Sequence, residues 1–262
     1  MEVIVRETRE AAVVLTARLV SDAVRANPGL VLGLATGRTM EAVYAHLLSL
    51  DQAEPLDFSE VTTFNLDEYI GLPRENPHSY NAYMRRHLFD HVNIDPAKTH
   101  LPDGCAQDIE EECARYEAAI TAAGGIDIQL LGIGVSGHIG FNEPISALRS
   151  RTRPKGLTPT TVAQNQHLFD RPEDMPLRAI TMGVGTILES GWAILLATGA
   201  DKADIIAKAV EGPVTGMVTA SALQMHPHCT VIVDGEAASG LTQTEYYRWL
   251  FENEPEWAPY RD

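Results

Sequence analysis

Seven apolar runs rich in β-branched residues alternate with helix-like stretches, and this alternation is the strongest constraint on the fold. The runs are EVIV (2–5), GLVLGLA (29–35), VTTFNL (61–66), IDIQLLGIG (126–134), RAITMGV (178–184), WAILLAT (192–198) and CTVIVD (229–234). Most of them lack polar-apolar alternation, which is typical of strands buried on both faces. The predicted helices cover residues 8–26, 39–50, 79–89, 107–122, 201–210 and 241–252. The pattern predicts a doubly wound, Rossmann-like α/β fold, with a mostly parallel sheet covered by helices on both faces.

The domain organisation predicted from the chain is simple. At 262 residues the chain fits one domain, because no linker rich in Ser, Pro or Gly interrupts it. We assign residues 1–240 to that domain. Residues 241–262 concentrate aromatic residues beside acidic ones, and we expect them to form a helix and tail packed on the body or on a neighbouring subunit.

Charge and cysteine content exclude several classes of partner. The chain has 36 acidic and 20 basic residues, and its net charge of -16 repels nucleic acid and anionic membranes. No apolar run reaches membrane-spanning length, and the N-terminus lacks the plan of a signal peptide. The 3 cysteines have no metal-ligand spacing, which favours reduced thiols. We therefore expect a cytoplasmic protein with no bound metal. These features do not exclude a homo-oligomer.

The stretch LGIGVSGHIGFNEP (131–144) contains G-x-G-x-x-G but is not a dinucleotide fingerprint. A helix should follow the third glycine, with an acidic residue about 20 positions further on. Gly140 and Pro144 instead break a helix, and residues 153–158 include no carboxylate. The loop does carry Ser136, His138 and Glu143, and a histidine held by a carboxylate transfers protons near neutral pH. The alternative is a histidine bonded only to backbone carbonyls.

Two further loops at strand ends predict an anion site. GLATGRT (33–39) ends a strand and begins a helix, so helix N–H groups, a glycine and hydroxyls meet there as in phosphate sites. The spacing is not that of a Walker A loop. LATGADK (196–202) repeats the pattern and places Lys202 in the first turn of a helix, where its charge opposes the helix dipole unless an anion binds. A threonine-capped helix after a tight turn is the alternative for the first loop.

A pair of carboxylates, Asp67 and Glu68, follows the run VTTFNL. Successive residues of an extended chain point to opposite sides, so we expect only one of the two to face a cleft at the sheet edge. The alternative is that both are solvated surface groups.

Four segments, LATGRT, FNLDEYIGLP, GHIGFNEP and TGADKA, occur in an order and spacing that resemble the glucosamine-6-phosphate deaminase (isomerase) family. The resemblance implies a doubly wound sheet and an enzyme that converts glucosamine 6-phosphate to fructose 6-phosphate and ammonia without metal or organic cofactor. It implies that Asp67 moves a proton from C2 of the opened sugar, and that His138, oriented by Glu143, assists ring opening. The residues implied to hold the 6-phosphate are Thr36, Gly37, Arg38, Thr39 and Lys202.

Three positions depart from the family pattern. Ser136 stands where well-known members have Asp or Asn, so the imidazolium loses a charged partner. Arg38 replaces the second glycine of a T-G-G-T loop, and His167 stands where an arginine is expected to reach the phosphate. We hypothesise that Arg38 supplies the guanidinium that His167 lacks.

An allosteric effector site, found in some hexameric members of the family, is a further possibility. Ser146, Arg153 and Lys155 match its positions, whereas Gly156 departs from it. A solvated basic turn is the alternative interpretation of this segment.

Other functions stay open at this stage. Galactosamine-6-phosphate deaminase is one alternative. Its substrate differs from glucosamine 6-phosphate only in the orientation of the C4 hydroxyl, and a single sequence does not report that orientation. A 6-phosphogluconolactonase has no use for a C2 base, so LDEY (66–69) counts against it. A non-catalytic sugar-phosphate sensor in a transcription regulator would need a DNA-binding helix pair, and the charge and element order leave no room for one.

Overall fold

A seven-stranded sheet, in which every strand pair is parallel, forms the centre of the computed structural model, which describes residues 1–261. The strands of the described chain are β1 (Glu2–Arg6), β2 (Val31–Leu34), β3 (Thr62–Asn65), β4 (Asp67–Tyr69), β5 (Thr99–His100), β6 (Ile128–Leu131), β7 (Arg153–Gly156), β8 (Arg178–Thr181), β9 (Trp192–Ala197) and β10 (Cys229–Asp234). The order across the large sheet is β1, β10, β9, β6, β2, β3, β5. The predicted doubly wound α/β fold is therefore confirmed.

The α-helices of the same residues are α1 (Arg9–Ala26), α2 (Arg38–Ala53), α3 (Tyr80–His87), α4 (Ile109–Ala122), α5 (Pro159–Asn165), α6 (Val184–Leu188), α7 (Ala203–Val210) and α8 (Thr244–Asn253). The long helix α1 packs on β9, β10 and α2. It begins at the N-cap Thr8, whose side chain accepts a hydrogen bond from the Ala11 N–H. No helix of residues 1–261 is both long enough and apolar enough to cross a bilayer.

Burial explains why the central strands lack alternation. Every residue of β2, β6 and β10 is buried, because helices or neighbouring loops cover both faces of the sheet. Phe64 of β3 stacks on His100 of β5 and meets the edge of Tyr116 of α4. The buried Tyr116 hydroxyl donates to the Asn65 carbonyl oxygen over 2.7 Å, so α4 is fixed to the end of β3.

One predicted strand lies outside the large sheet. The run RAITMGV forms β8, which pairs antiparallel with β4 and β7 in a separate three-stranded sheet. Its apolar character reflects burial of Ala179, Ile180 and Thr181, and burial alone does not report which sheet a strand joins. The prediction missed β4, β5, β7, α5 and α6, each of which has 7 residues or fewer.

The chain passes from the large sheet into the small one at Leu66, which separates β3 from β4. The Leu66 N–H donates to the Leu34 carbonyl oxygen of β2 over 3.1 Å, and its own carbonyl oxygen accepts from the Met182 N–H over 2.7 Å. Leu66 is thus bonded to both sheets. The next residue, Asp67, stands at the junction between them.

Glu68 joins β4 to α3. Its Oε1 accepts from the N–H groups of Tyr69 and Tyr80 at 2.9 and 3.0 Å, and its Oε2 accepts from the Asn81 N–H at 3.0 Å. Tyr80 and Asn81 open α3, so the buried carboxylate satisfies helix N–H groups that have no partner inside the helix.

The C-terminal helix α8 packs against β1. The Arg6 guanidinium lies 4.5 Å from the centre of the Phe251 ring, and the Arg18 side chain donates to the Pro259 carbonyl oxygen over 2.6 Å. The Tyr260 hydroxyl donates to Asp22 over 2.9 Å. These contacts attach the tail to β1 and α1.

We predict that Glu68→Ala lowers the free energy of unfolding by about 2–4 kcal/mol, because three backbone N–H groups lose their acceptor. Urea unfolding measures the change. Glu60→Ala, which removes an exposed carboxylate paired with Lys98, is the control and should cost under about 1 kcal/mol. Equal losses in the two variants would contradict the capping role of Glu68.

Candidate active site

The predicted site residues follow four strands that are neighbours in the large sheet, β9, β6, β2 and β3. Parallel strands bring their carboxyl ends to one edge, which is where open α/β sheets bind ligands. Lys202 follows β9, the loop of His138 follows β6, Arg38 follows β2, and Asp67 follows β3. The structure therefore places all of these residues along the same edge of the sheet.

Asp67 is a buried carboxyl group, with only 6% of its surface exposed. Burial, and then the charge of Glu68, raise its pKa to about 8. Within the described residues no hydrogen bond to its carboxylate offsets this effect. The alternative that Asp67 and Glu68 are solvated surface groups is wrong, because both are buried. Of the two, only Glu68 caps a helix.

His138 lies between two polar side chains of its own loop. Its Nδ1 is 2.8 Å from Ser136 Oγ and 3.2 Å from Glu143 Oε2. A carboxylate at this distance favours a proton on Nδ1, which Ser136 Oγ then accepts, while Glu143 Oε2 acts through its charge. The imidazole lies so close to Gly134 that a Cβ there would come within 2.2 Å of Nε2. In this tautomer Nε2 carries the free lone pair.

Glu143 is fixed by residues that the sequence did not single out. Its Oε1 accepts from the N–H and hydroxyl of Thr158, both at 3.2 Å, and from the Thr161 hydroxyl. Burial opposes its ionisation, but the neighbouring His138 and the hydrogen bond from Thr161 outweigh it and lower the pKa to about 2. Glu143 is therefore a carboxylate at neutral pH. The only local signal for these partners is T-P-T-T, which predicts the capped start of α5.

The loop of His138 is attached beside Asp67. A Cβ placed on Gly140 would lie 2.9 Å from Thr181 Oγ1 and 3.4 Å from Asp67 Oδ2. Thr181 Oγ1 accepts a hydrogen bond from the Phe141 N–H over 3.0 Å, and the Asn142 side chain donates to the Met182 carbonyl oxygen over 2.8 Å. The end of β8 thus brings the carboxyl and the histidine loop together.

The first glycine loop leaves the start of α2 open. Gly37 is the N-cap residue, with φ 105°, and it makes no side-chain capping bond, so the threonine-capped alternative is wrong. The Tyr83 hydroxyl donates to the Gly37 carbonyl oxygen over 2.9 Å and fixes the turn. Arg38 follows, and its Nη2 lies 2.7 Å from His167 Nε2, so the two positions that depart together from the family pattern are in contact.

The second glycine loop has nearly the same backbone. Gly199 has φ 94° and ψ 153°, close to the values at Gly37, and its N–H donates to both carboxylate oxygens of Asp234 at 3.1 Å. Lys202 ends a 3-10 turn, and α7 begins at Ala203 rather than at residue 201 as predicted. The strands that precede the two glycine loops, β2 and β9, lie on either side of β6, which the loop of His138 follows.

Two of the three proposed effector positions form part of a strand. Arg153 and Lys155 belong to β7, which pairs with β8, so the alternative of a solvated basic turn is wrong. Arg153 donates to Asn142 Oδ1 over 2.9 Å. Ser146 Oγ is buried and, among the described residues, has no hydrogen-bond partner. An effector site at these residues stays a prediction.

We predict that Asp67→Asn stabilises the protein at pH 8. With a folded pKa of about 8 against an ordinary 3.8, the folded state retains a proton that the unfolded state releases, so stability falls as pH rises between these values. Asparagine removes this penalty and should add at least about 1 kcal/mol at pH 8, since each pKa unit corresponds to about 1.4 kcal/mol. Urea unfolding at pH 4 and pH 8 measures it. A gain that is equal at both pH values, or a loss at pH 8, would contradict the buried, unpaired carboxyl.

Known proteins resemble this chain over almost its whole length. The sequence model of glucosamine-6-phosphate isomerases/6-phosphogluconolactonase matches residues 6–232. Glucosamine-6-phosphate deaminase of Hahella chejuensis is 50% identical over 250 residues, covering 95% of each chain. The enzyme of the same name from Rhodococcus opacus is 47% identical over 257 residues, covering 98% of this chain and 99% of its own.

Solved structures agree with the sequence comparisons. A monomeric glucosamine-6-phosphate deaminase superposes with a TM-score of 0.90 at 43% identity, covering 92% of this chain and all of the other. A 6-phosphogluconolactonase from Trypanosoma cruzi superposes with a TM-score of 0.73 at 20% identity, covering 92% and 97%, and so shares the fold. On its sequence, its sheet topology and these similarities, the chain belongs to the family of glucosamine-6-phosphate isomerases and 6-phosphogluconolactonases.

Proposed function

We propose that this protein is a glucosamine-6-phosphate deaminase, which converts glucosamine 6-phosphate and water to fructose 6-phosphate and ammonia. The observation that carries the proposal is Asp67, a buried carboxyl without a hydrogen-bond partner in the described chain, beside the loop of His138 and Glu143. The chain's relatives at about half identity have this name. We propose the cytoplasm as its compartment, where Cys105, Cys113 and Cys229 stay reduced.

The reaction needs one base that serves two neighbouring carbons. In the opened sugar, the Asp67 carboxylate removes the proton from C2, which the adjacent aldehyde acidifies, and a double bond forms between C1 and C2. One proton of the C2 ammonium group moves to the oxygen on C1, and the abstracted proton returns to C1. The lone pair freed on nitrogen then forms a double bond with C2, which gives an iminium ion and a C1 hydroxyl. Water adds to C2, the carbon–nitrogen bond breaks, and ammonia leaves a C2 ketone. The products are fructose 6-phosphate and ammonia.

The raised pKa of Asp67 fits a base that is activated by its own substrate. Burial keeps the carboxyl protonated in the free protein at neutral pH. The substrate carries an ammonium group on C2, the carbon whose proton is removed. A positive charge beside a buried carboxyl favours its ionised form, so substrate binding lowers the pKa of Asp67 and releases its proton. The base becomes available only when there is a C2 proton to remove.

His138 has the arrangement needed for ring opening. Glu143, with its pKa lowered to about 2, holds the proton on Nδ1 and leaves Nε2 as the exchanging atom. Nε2 accepts the proton of the C1 hydroxyl and delivers it to the ring oxygen, and the bond between C1 and that oxygen breaks. Ser136 accepts the Nδ1 hydrogen bond and adds no charge, so Glu143 alone stabilises the imidazolium through its charge.

The phosphate is assigned to the two glycine loops. The open start of α2 offers N–H groups and a favourable helix dipole for an anion. Thr36, Gly37, Arg38 and Thr39 lie at this point, and Lys202 contributes a second cation from the loop after β9. In a protein with a net charge of -16, a local basic site is required to hold an anionic substrate.

We predict that the purified protein releases ammonia from glucosamine 6-phosphate, and that Asp67→Asn lowers kcat by at least about a thousandfold while the Kd for fructose 6-phosphate changes only a few-fold. Asp90→Asn is the control, since Asp90 is exposed and pairs with Arg85. A coupled ammonia assay and calorimetry measure the two quantities.

Galactosamine 6-phosphate is offered in parallel with the glucosamine substrate, because the two sugars differ only at C4. If ammonia is released preferentially from galactosamine 6-phosphate, then that sugar replaces glucosamine 6-phosphate as the assigned substrate. Activity of Asp67→Asn equal to that of Asp90→Asn would reject Asp67 as the base.

A further inference from the structure

Arg38 is held by a residue that lies 129 positions further along the chain. Its Nη2 is 2.7 Å from Nε2 of His167, which lies in the 3-10 turn Gln166–Leu168 that follows α5. Arg38 itself begins α2, directly after Gly37. The contact therefore spans the open start of α2 and connects it to a separate segment of the surface.

The chemistry of the pair fixes the state of the imidazole. A guanidinium has only N–H donors, so His167 must accept at Nε2 and be neutral, with its proton on Nδ1. Both residues are exposed, and an exposed polar contact adds little to stability. In addition, a cation in the first turn of a helix opposes the helix dipole. The fold and the helix therefore gain little from this arrangement, and stability does not explain it.

We propose that His167 is a positioning residue, which holds the Arg38 guanidinium at the start of α2 in readiness for the substrate phosphate. That the anion is a sugar 6-phosphate rests on the proposed function. An unrestrained arginine side chain loses rotamer freedom when it binds a ligand, and prior fixation by His167 removes this cost. The planar guanidinium then meets two phosphate oxygens in an orientation already set.

The first test compares His167→Ala, His167→Gln and Arg38→Ala. A glutamine carbonyl oxygen reaches the place of Nε2 and accepts from the guanidinium. We expect His167→Ala to raise KM for glucosamine 6-phosphate about two- to tenfold with kcat within twofold, because immobilising one such side chain costs about 0.5–1.5 kcal/mol. His167→Gln should restore KM. Arg38→Ala should raise KM at least tenfold.

The second test is the double variant, which separates positioning from general structure. If His167 acts through Arg38, then adding His167→Ala to Arg38→Ala changes KM no further. Thermal unfolding midpoints of all variants should lie within a few degrees of the parent. His91→Ala is the matched control, since His91 is an exposed histidine whose ring bonds only to the Arg86 carbonyl oxygen among the described residues. It should leave KM unchanged.

Calorimetry with fructose 6-phosphate and with inorganic phosphate keeps this inference separate from the deaminase assignment. Weaker binding in His167→Ala, recovered in His167→Gln, supports the positioning role even if the parent releases no ammonia. If the unsubstituted protein is active and His167→Ala changes neither KM nor Kd, the positioning role is overturned while the deaminase assignment stands. An effect of His167→Ala that persists in the Arg38→Ala background, or a parent that binds neither anion, also overturns it.

Discussion

The transfer of the chain from one sheet to another at Leu66 is the constraint on which the site depends. Leu66 is hydrogen-bonded to β2 on one side and to the residue after β8 on the other, and these bonds fix the backbone position of the next residue, Asp67. Asp67 is thereby fixed in a buried place where no described donor reaches its carboxylate. Burying such a group costs stability, and the surrounding hydrogen bonds of the two sheets supply the compensation. Asp67 is therefore positioned through the backbone hydrogen bonds of Leu66 and not through contacts of its own carboxylate.

The two acidic groups of the site are driven in opposite directions by their surroundings. Burial raises the pKa of Asp67 to about 8, whereas hydrogen bonds at Glu143 overcome burial and lower its pKa to about 2. Environments that separate two carboxyl groups in this way assign them separate tasks. In the proposed mechanism Asp67 exchanges a proton with carbon, and Glu143 keeps its charge and orients His138. In the same proposal the phosphate end of the substrate needs neither carboxyl group, since helix N–H groups and cations are assigned to hold it.

The sequence predicted the features that depend on local pattern. The strand and helix order identified the large sheet, and the segments after its strands contained every residue that we assign to the site. The pairing of strands was harder to predict, because β8 is as buried as a strand of the large sheet but pairs with β4 and β7. Partners distant in sequence were also missed. Thr158 and Thr161 fix Glu143 from 15 and 18 residues away, and their local pattern reports only a helix start.

The direct measurement of the proposed chemistry is an NMR titration of the Asp67 side-chain carboxyl, assigned with the Asp67→Asn variant. We expect the free protein to titrate near pH 8, the value that burial gives. Glucosamine, whose ammonium occupies C2, should lower the midpoint when it binds at saturating concentration, and fructose, which lacks that ammonium, should not. A midpoint near the ordinary value of 3.8, unchanged by the amino sugar, would contradict Asp67 as the buried base of this protein.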